Sequence, residues 1–185
     1  MSTTPDRAGA YSTLAMTLHW LFVLIFLVMF PLGYIMTGLE LSPTKLAAVS
    51  WHKSIGITAL SLAVLRLGWR LVRPPPPLPA DLPPPQKLGA RIVHWLLYGV
   101  IFALPMSGWL MSSAAGFTVK PFGLFALPNL VDKDKPTFRL LVEVHEILGY
   151  VLLGLIALHV GAALYHYFVR RDGILGRMLP LARIG

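Results

Sequence analysis

Six histidines, His19, His52, His94, His145, His159 and His166, all lie within or at the ends of apolar stretches of this 185-residue sequence. An imidazole in hydrocarbon is costly unless something satisfies it, and ionisable groups inside membrane segments are rare and mostly functional. A single one is satisfied by a hydrogen bond to a neighbouring helix; six in one small protein ask for more. The sequence has no cysteine, which removes disulfides, iron–sulfur ligation, thiolate zinc sites and covalent C-x-x-C-H haem attachment. Any haem is therefore held non-covalently.

Spacing narrows the chemistry. His145 and His159 are 14 residues apart, about four helical turns, which returns to within about 40° of the same face. The same interval advances about 21 Å along the axis, too far for one metal ion to bridge. The pair therefore implies two stacked sites, each needing a second histidine at matching depth. His19 lies near the start of the first apolar segment and His52 near the start of the second. With alternating helix directions, His19 meets His159 at one membrane face and His52 meets His145 at the other. Two imidazoles facing each other across a bundle suit the axial positions of a b-type haem. Zinc would want four ligands, and each level offers two. Two haems b follow.

The elements that must position these residues are four apolar segments of about the ~20 residues needed to span a bilayer, at residues 14–36, 46–71, 88–111 and 138–169. The composition is 56% hydrophobic and only 13% charged, against roughly 25% charged in soluble domains. Residues 1–185 thus read as one all-α domain, an integral membrane four-helix bundle. The opening MSTTPDRAGAYS lacks a basic cluster and a cleavage site, and reads as a retained tail. Ten basic residues (Arg7, Arg66, Arg70, Arg73, Lys87, Arg91, Arg170, Arg171, Arg177, Arg183) fall on the side of the termini, against six (Lys45, Lys53, Lys120, Lys133, Lys135, Arg139) on the other. That bias places both termini in the cytoplasm. The net charge of +8 is such a topology signal, and no motif points to nucleic acid. Residues 73–87, RPPPPLPADLPPPQK, form a stiff cytoplasmic connector that cannot be helix or sheet, a spacer rather than an SH3 ligand. The outer loop 112–137 either lies on the membrane surface or caps the bundle, and Pro105 is expected to kink the third helix.

Further residues fit the two levels. Gly56 and Gly149, each four residues after a histidine, and Gly33, 14 after His19, remove side chains where a macrocycle would lie close; tight helix packing accounts for them equally well. Arg66, 14 residues after His52, sits where it could pair with a haem propionate or simply snorkel to the interface. His94 has no partner left at its level and is assigned to the haem vicinity, not to the iron. His166, seven residues beyond His159, could hydrogen-bond a quinone carbonyl or act as an interfacial anchor.

The pieces LHW, WHKSIGI, VLRLGWRL, HWLLYGVIFALPMSGWLM, VHEILGY, LHVGAALYHYF and RRDGILGRMLP, in this order over nearly the whole chain, resemble the bacterial cytochrome b-561 family of four-helix di-haem proteins. The resemblance implies that His19 and His159 hold the cytoplasmic-side haem and His52 and His145 the periplasmic-side haem. It places His166 at a quinone contact and the protein in the bacterial inner membrane. Family members that are superoxide oxidases pass an electron from periplasmic superoxide to ubiquinone; other relatives are cytochrome subunits serving hydrogenases and formate dehydrogenases. An enzyme of the first kind would attract superoxide with a positive outer rim, for which Lys53, beside His52, is the best single candidate, with Lys120, Lys133, Lys135 and Arg139 as helpers and Asp132, Asp134, Glu143 and Glu146 diluting the field. The alternative is an electron-transfer subunit docking a periplasmic dehydrogenase or redox protein. A proton-coupled transporter using histidine relays is a third reading, without haem. Lipid and ubiquinone are the common partners, and a homodimer is left open.

Overall fold

The computed structural model describes residues 10–179 and folds them into four long helices: α1 (Thr13–Gly38), α2 (Pro43–Val72), α3 (Pro84–Ala114) and α4 (Lys135–Tyr165). Arg7 and Arg183 of the charge count lie outside the described residues. Each helix is long and apolar enough to cross a membrane. Large apolar side chains such as Leu24, Leu27, Leu71, Val72, Leu140 and Val169 point outward and are exposed, which only a lipid solvent makes inexpensive. The molecule is an all-α, four-helix membrane-spanning bundle.

Local chemistry sets the helix ends. Ser12 and Ser42 accept hydrogen bonds from the backbone N–H groups of Ala15 and Lys45, and the Asp134 carboxylate accepts one from Thr137 at 2.8 Å, satisfying donors that a helix start leaves free. These bonds from the Thr137 side chain and backbone hold the Asp134 carboxyl below the usual range. Proline in the first turn accompanies the starts of α2, α3 and α4, where its missing N–H costs nothing. For the same reason the proline-rich stretch is not wholly non-helical: Pro84–Lys87 form the first turn of α3, and the extended connector ends at Pro83. Pro31 in α1 and Pro105 in α3 both lie inside continuous helices.

Close backbone packing joins α3 to α4, α1 to α2 and α2 to α3, whereas α4 has no comparable packing against α1 or α2. The α2–α3 packing thus joins the hairpins α1–α2 and α3–α4 into one bundle. Its middle is filled by Phe22, Ile25, Ala59 and Ala63, with Phe26, Met29, Ile55, Leu62, Ile101 and Phe102 packed around them. On α4 the one buried residue is Leu152, fully enclosed.

The loop between α3 and α4 caps one end of the bundle. Val119 and Leu127 pair across it, Leu130 N–H bonds the Ser113 hydroxyl, and the Trp109 indole donates to the Pro128 carbonyl. A 3-10 turn, Pro121–Gly123, carries Phe122 at φ +51°, a left-handed conformation unusual for a bulky residue. The Ser54 hydroxyl, fully buried, holds it by accepting from the Phe122 N–H at 2.9 Å while donating to the Ser50 carbonyl. Of the two placements open to the outer loop, capping the bundle is the one adopted. Ser54→Ala leaves the Phe122 N–H without its partner, which costs about 1–3 kcal/mol for a buried donor. A lower melting temperature in detergent and faster proteolysis within residues 115–134 are expected; unchanged values would show the loop is held elsewhere.

Candidate functional site

The structure brings the histidines of facing hairpins together. The rings of His19 (α1) and His159 (α4) have centroids 6.1 Å apart, and those of His52 (α2) and His145 (α4) 6.2 Å apart. A metal–imidazole bond of about 2.0–2.1 Å plus about 1.1 Å from nitrogen to ring centre sets a trans pair about 6.3 Å centre to centre. Both separations match that figure. Among the described residues no three of His, Cys, Asp or Glu converge to hold one metal ion.

At the loop end, hydrogen bonding sets the His145 tautomer. The Ser107 hydroxyl donates to the Leu104 carbonyl at 2.7 Å, so at 2.9 Å from His145 Nδ1 it must accept. Nδ1 then carries the proton and Nε2 keeps a free lone pair, the arrangement that metal-bound histidines use. Among the described residues His52 Nδ1 is buried without a hydrogen-bond partner. Glycines make room for both rings: a Cβ on Gly33 would lie 3.3 Å from His52 Cε1, and one on Gly108 3.1 Å from His145 Cε1. Gly149 faces open space, while Gly56 is met by Met29. Lys53 is half-buried, with Nζ 5.5 Å from the centre of the Phe117 ring, while Lys120, Lys133, Lys135 and Arg139 are exposed.

At the opposite end, Arg66 Nη1 donates to the Ala15 carbonyl at 3.3 Å, and Nη2 lies 3.4 Å from His19 Nδ1. Arg66 and Arg70 both lie over the Tyr98 ring, and Arg70 also over Trp95. His94 stands beside His159, ring centroids 5.4 Å apart. That is closer than the 6.1 Å between His19 and His159, so three imidazoles gather at this end of the bundle. The sequence missed this closeness because α3 starts at Pro84 rather than 88. Counted from Pro84, His94 is ten residues deep, about 15 Å, which is the depth of His159 counted back from Arg170.

His166 opens a π turn, His166–Arg170, followed by Arg171 in the left-handed region at φ +53°. The chain reverses there and brings Asp172 back beneath it, with Oδ2 2.5 Å from His166 Nδ1. Arg170 bridges Asp172 (Nε, 3.2 Å) and Asp81 of the connector (Nη2, 3.1 Å). Burial pushes the Asp172 carboxyl up, but hydrogen bonds from His166, the Ile174 N–H and Arg170 outweigh it and hold it below the usual range. Farther along, Arg177 donates to the Pro77 carbonyl and Trp20 to that of Met178, while the Tyr11 N–H meets the Arg177 carbonyl. The segment after α4 thus lies across this end of the bundle. Asp172, Arg170, Asp81, Ser107 and Gly108 were not singled out from sequence; the Asp-Gly step at 172–173 was the available turn signal for the first.

Residues 10–181 match the family model described as prokaryotic cytochrome b561. Among curated relatives, cytochrome b561 homolog 2 of Escherichia coli (strain K12) is 36% identical over 178 residues, covering 95% of this chain and 93% of its own length. The probable superoxide oxidase CybB of Yersinia pestis is 30% identical over 179 residues (94% and 97%), and cytochrome b561 homolog 1 of Escherichia coli (strain K12) is 30% identical over 184 residues (92% and 97%).

The close approach of Gly108 to His145 is directly testable against Gly99, whose added Cβ would meet nothing within 4 Å. Gly99→Ala is expected to raise thermal stability by up to about 1 kcal/mol through helix propensity. Gly108→Ala should forfeit that gain or destabilise, because the His145 ring must move. Equal melting shifts in the two variants would contradict the crowding.

Proposed function

The chain belongs to the prokaryotic cytochrome b561 family of multi-pass electron-transfer proteins of the bacterial inner membrane, and on that premise we propose that it is a di-haem b cytochrome passing electrons from a periplasmic donor to ubiquinone. His19 and His159 would hold one haem, His52 and His145 the other, on the cytoplasmic and periplasmic sides respectively, with both termini cytoplasmic. The observation that carries this reading is the pair of centroid separations, 6.1 and 6.2 Å, repeated on one face of α4. When bound, each haem supplies a one-electron iron couple.

The residues of the chain do the rest. Ser107 orients His145 through Nδ1 and would leave Nε2 free to hold a haem iron. Ligation of His19 through Nε2 puts its proton on Nδ1, which can no longer accept from Arg66. The guanidinium is then free to take a carboxylate, the propionate role assigned to it from sequence. His94, beside His159, lines the same level. His166, at the cytoplasmic edge, would contact the quinone carbonyl, with exposed Tyr165 and Phe168 beside it marking access from lipid.

The donor we propose is superoxide, an activity that the printed name of the Yersinia pestis relative carries. The exposed cations Lys120, Lys133, Lys135 and Arg139 supply the attracting field, and Lys53, covered by Phe117, contributes charge from beneath the cap. A second reading, docking of a periplasmic dehydrogenase or redox protein, is favoured by the apolar surface of that cap, where Phe117, Leu124 and Phe125 are exposed.

Protein purified from haem-replete cells should show a Soret band and two haems per chain by pyridine haemochrome; no Soret band would leave the transporter reading. His159→Ala and His52→Ala should each lower the count to one, and a count of two in either would refute the pairing. In stopped-flow mixing with superoxide and a short-chain quinone, haem reduction should outrun spontaneous dismutation. Without such acceleration, the electron-transfer subunit is the function.

A further inference from the structure

The charged chain beyond α4 has a feature that the electron path does not require. Asp172 is aspartate in the interior of a membrane protein's end, its side chain 9% exposed, and it faces an imidazole that is itself 14% exposed. Its Oδ2 receives both His166 Nδ1 and Arg170 Nε, and its Oδ1 receives the Ile174 N–H. Arg170 in turn is tied to Asp81, which is 71% exposed on the proline connector. Tyr165 packs its ring edge-on to His166. Among the described residues these are the charged and titratable groups in contact with the dyad, and His166 bonds one acceptor through Nδ1 and none through Nε2.

We propose that Asp172 is a positioning residue for His166: it holds Nδ1–H, presents Nε2–H to an oxygen acceptor of quinone-carbonyl type, and stabilises the imidazolium from which that proton is given. Arg170 keeps Asp172 ionised, and the connector's Asp81 holds Arg170 in place. The inference rests on the quinone reading of His166 given above. Reduction of a quinone to a quinol consumes two electrons and two protons. The electrons come from the haem couple proposed above. His166 gives one proton from Nε2 to a carbonyl oxygen as an O–H bond forms, keeps Nδ1–H bonded to Asp172, and takes a proton back from cytoplasmic water at Nε2; the second oxygen is protonated by water. An aspartate behind the histidine fixes the tautomer and ring angle without itself becoming protonated. A sequence-distant connector supplies the outer end of the chain, so the tuning of this site reaches the surface at Asp81.

The test uses the full-length haem-loaded protein in detergent, with a short-chain ubiquinone analogue as probe. Haem content and melting temperature first establish that each variant folds. Asp172→Asn should slow quinone reduction at pH 7.5 by about tenfold, because the ring loses the anion that fixes its orientation. Asp172→Glu should restore most of the rate. Asp81→Asn, at an exposed position, should give a smaller slowing. The independent readout is histidine side-chain NMR with labelled imidazole: the His166 ring should hold its proton at Nδ1 when neutral, and lose that single tautomer in Asp172→Asn. A wild-type rate and tautomer in Asp172→Asn, with His166→Gln slowed, would overturn the positioning role and leave the quinone reading standing. A His166→Gln variant with unchanged quinone affinity and rate would remove both.

Discussion

Imidazole cannot be left alone in hydrocarbon, and this constraint shapes the whole bundle. Four of the histidines come in facing pairs, and each pair spans a gap that backbone packing leaves open: α4 approaches neither α1 nor α2 closely. A bundle whose histidines only hydrogen-bonded neighbouring helices would draw those helices together. Here α4 stays apart from α1 and α2 by the reach of two rings while α2 and α3 pack closely, and Gly33 and Gly108 give up side chains to let the rings lie where they do. The cost of burying polar nitrogens is met differently at the two levels. Ser107 satisfies His145 and Arg66 faces His19, while His52 Nδ1 has no partner among the described residues.

Helix α4 organises the rest through a seven-residue interval. His145, Leu152, His159 and His166 recur on one face, each about 10 Å beyond the last. Leu152, fully enclosed, belongs to the apolar layer that separates the two polar levels. Such a layer keeps water from linking them, which strengthens electrostatic interactions within each. The fourth mark on the ruler, His166, lies where the α-helix gives way to a π turn, so its surroundings are set by a chain reversal and not by helix periodicity.

That division decides what sequence could tell. The four spans, the stacked levels and the juxtaposition of His19 with His159 and His52 with His145 follow from helix periodicity and alternating direction, which are rigid rules. The closeness of His94 to His159 was not read because the depth of His94 depends on where α3 starts, and prolines at 84 and 85 serve as well inside a first helical turn as outside it. Asp172 was invisible because six residues beyond His166 in a continuous helix is the wrong face; only the π turn and the left-handed Arg171 bring it back. A capping role for the outer loop was open from sequence, but the Ser54 bond that holds it was not legible, since it joins residues 68 apart through one hydroxyl.

The two-hairpin arrangement bears on biogenesis. Each facing pair takes one ring from α1–α2 and one from α3–α4, so neither half of the molecule contains a complete level by itself. As the chain leaves the ribosome, the first hairpin is finished while its two rings still lack their opposites, and both levels close together only when the last span enters the bilayer. The stiff connector, whose Pro77 carbonyl and Asp81 carboxylate are gripped by Arg177 and Arg170 from the far end of the chain, then acts as the clasp that records completion. A truncation within the final twenty residues would strike at that clasp before it touched any ring facing across the gap.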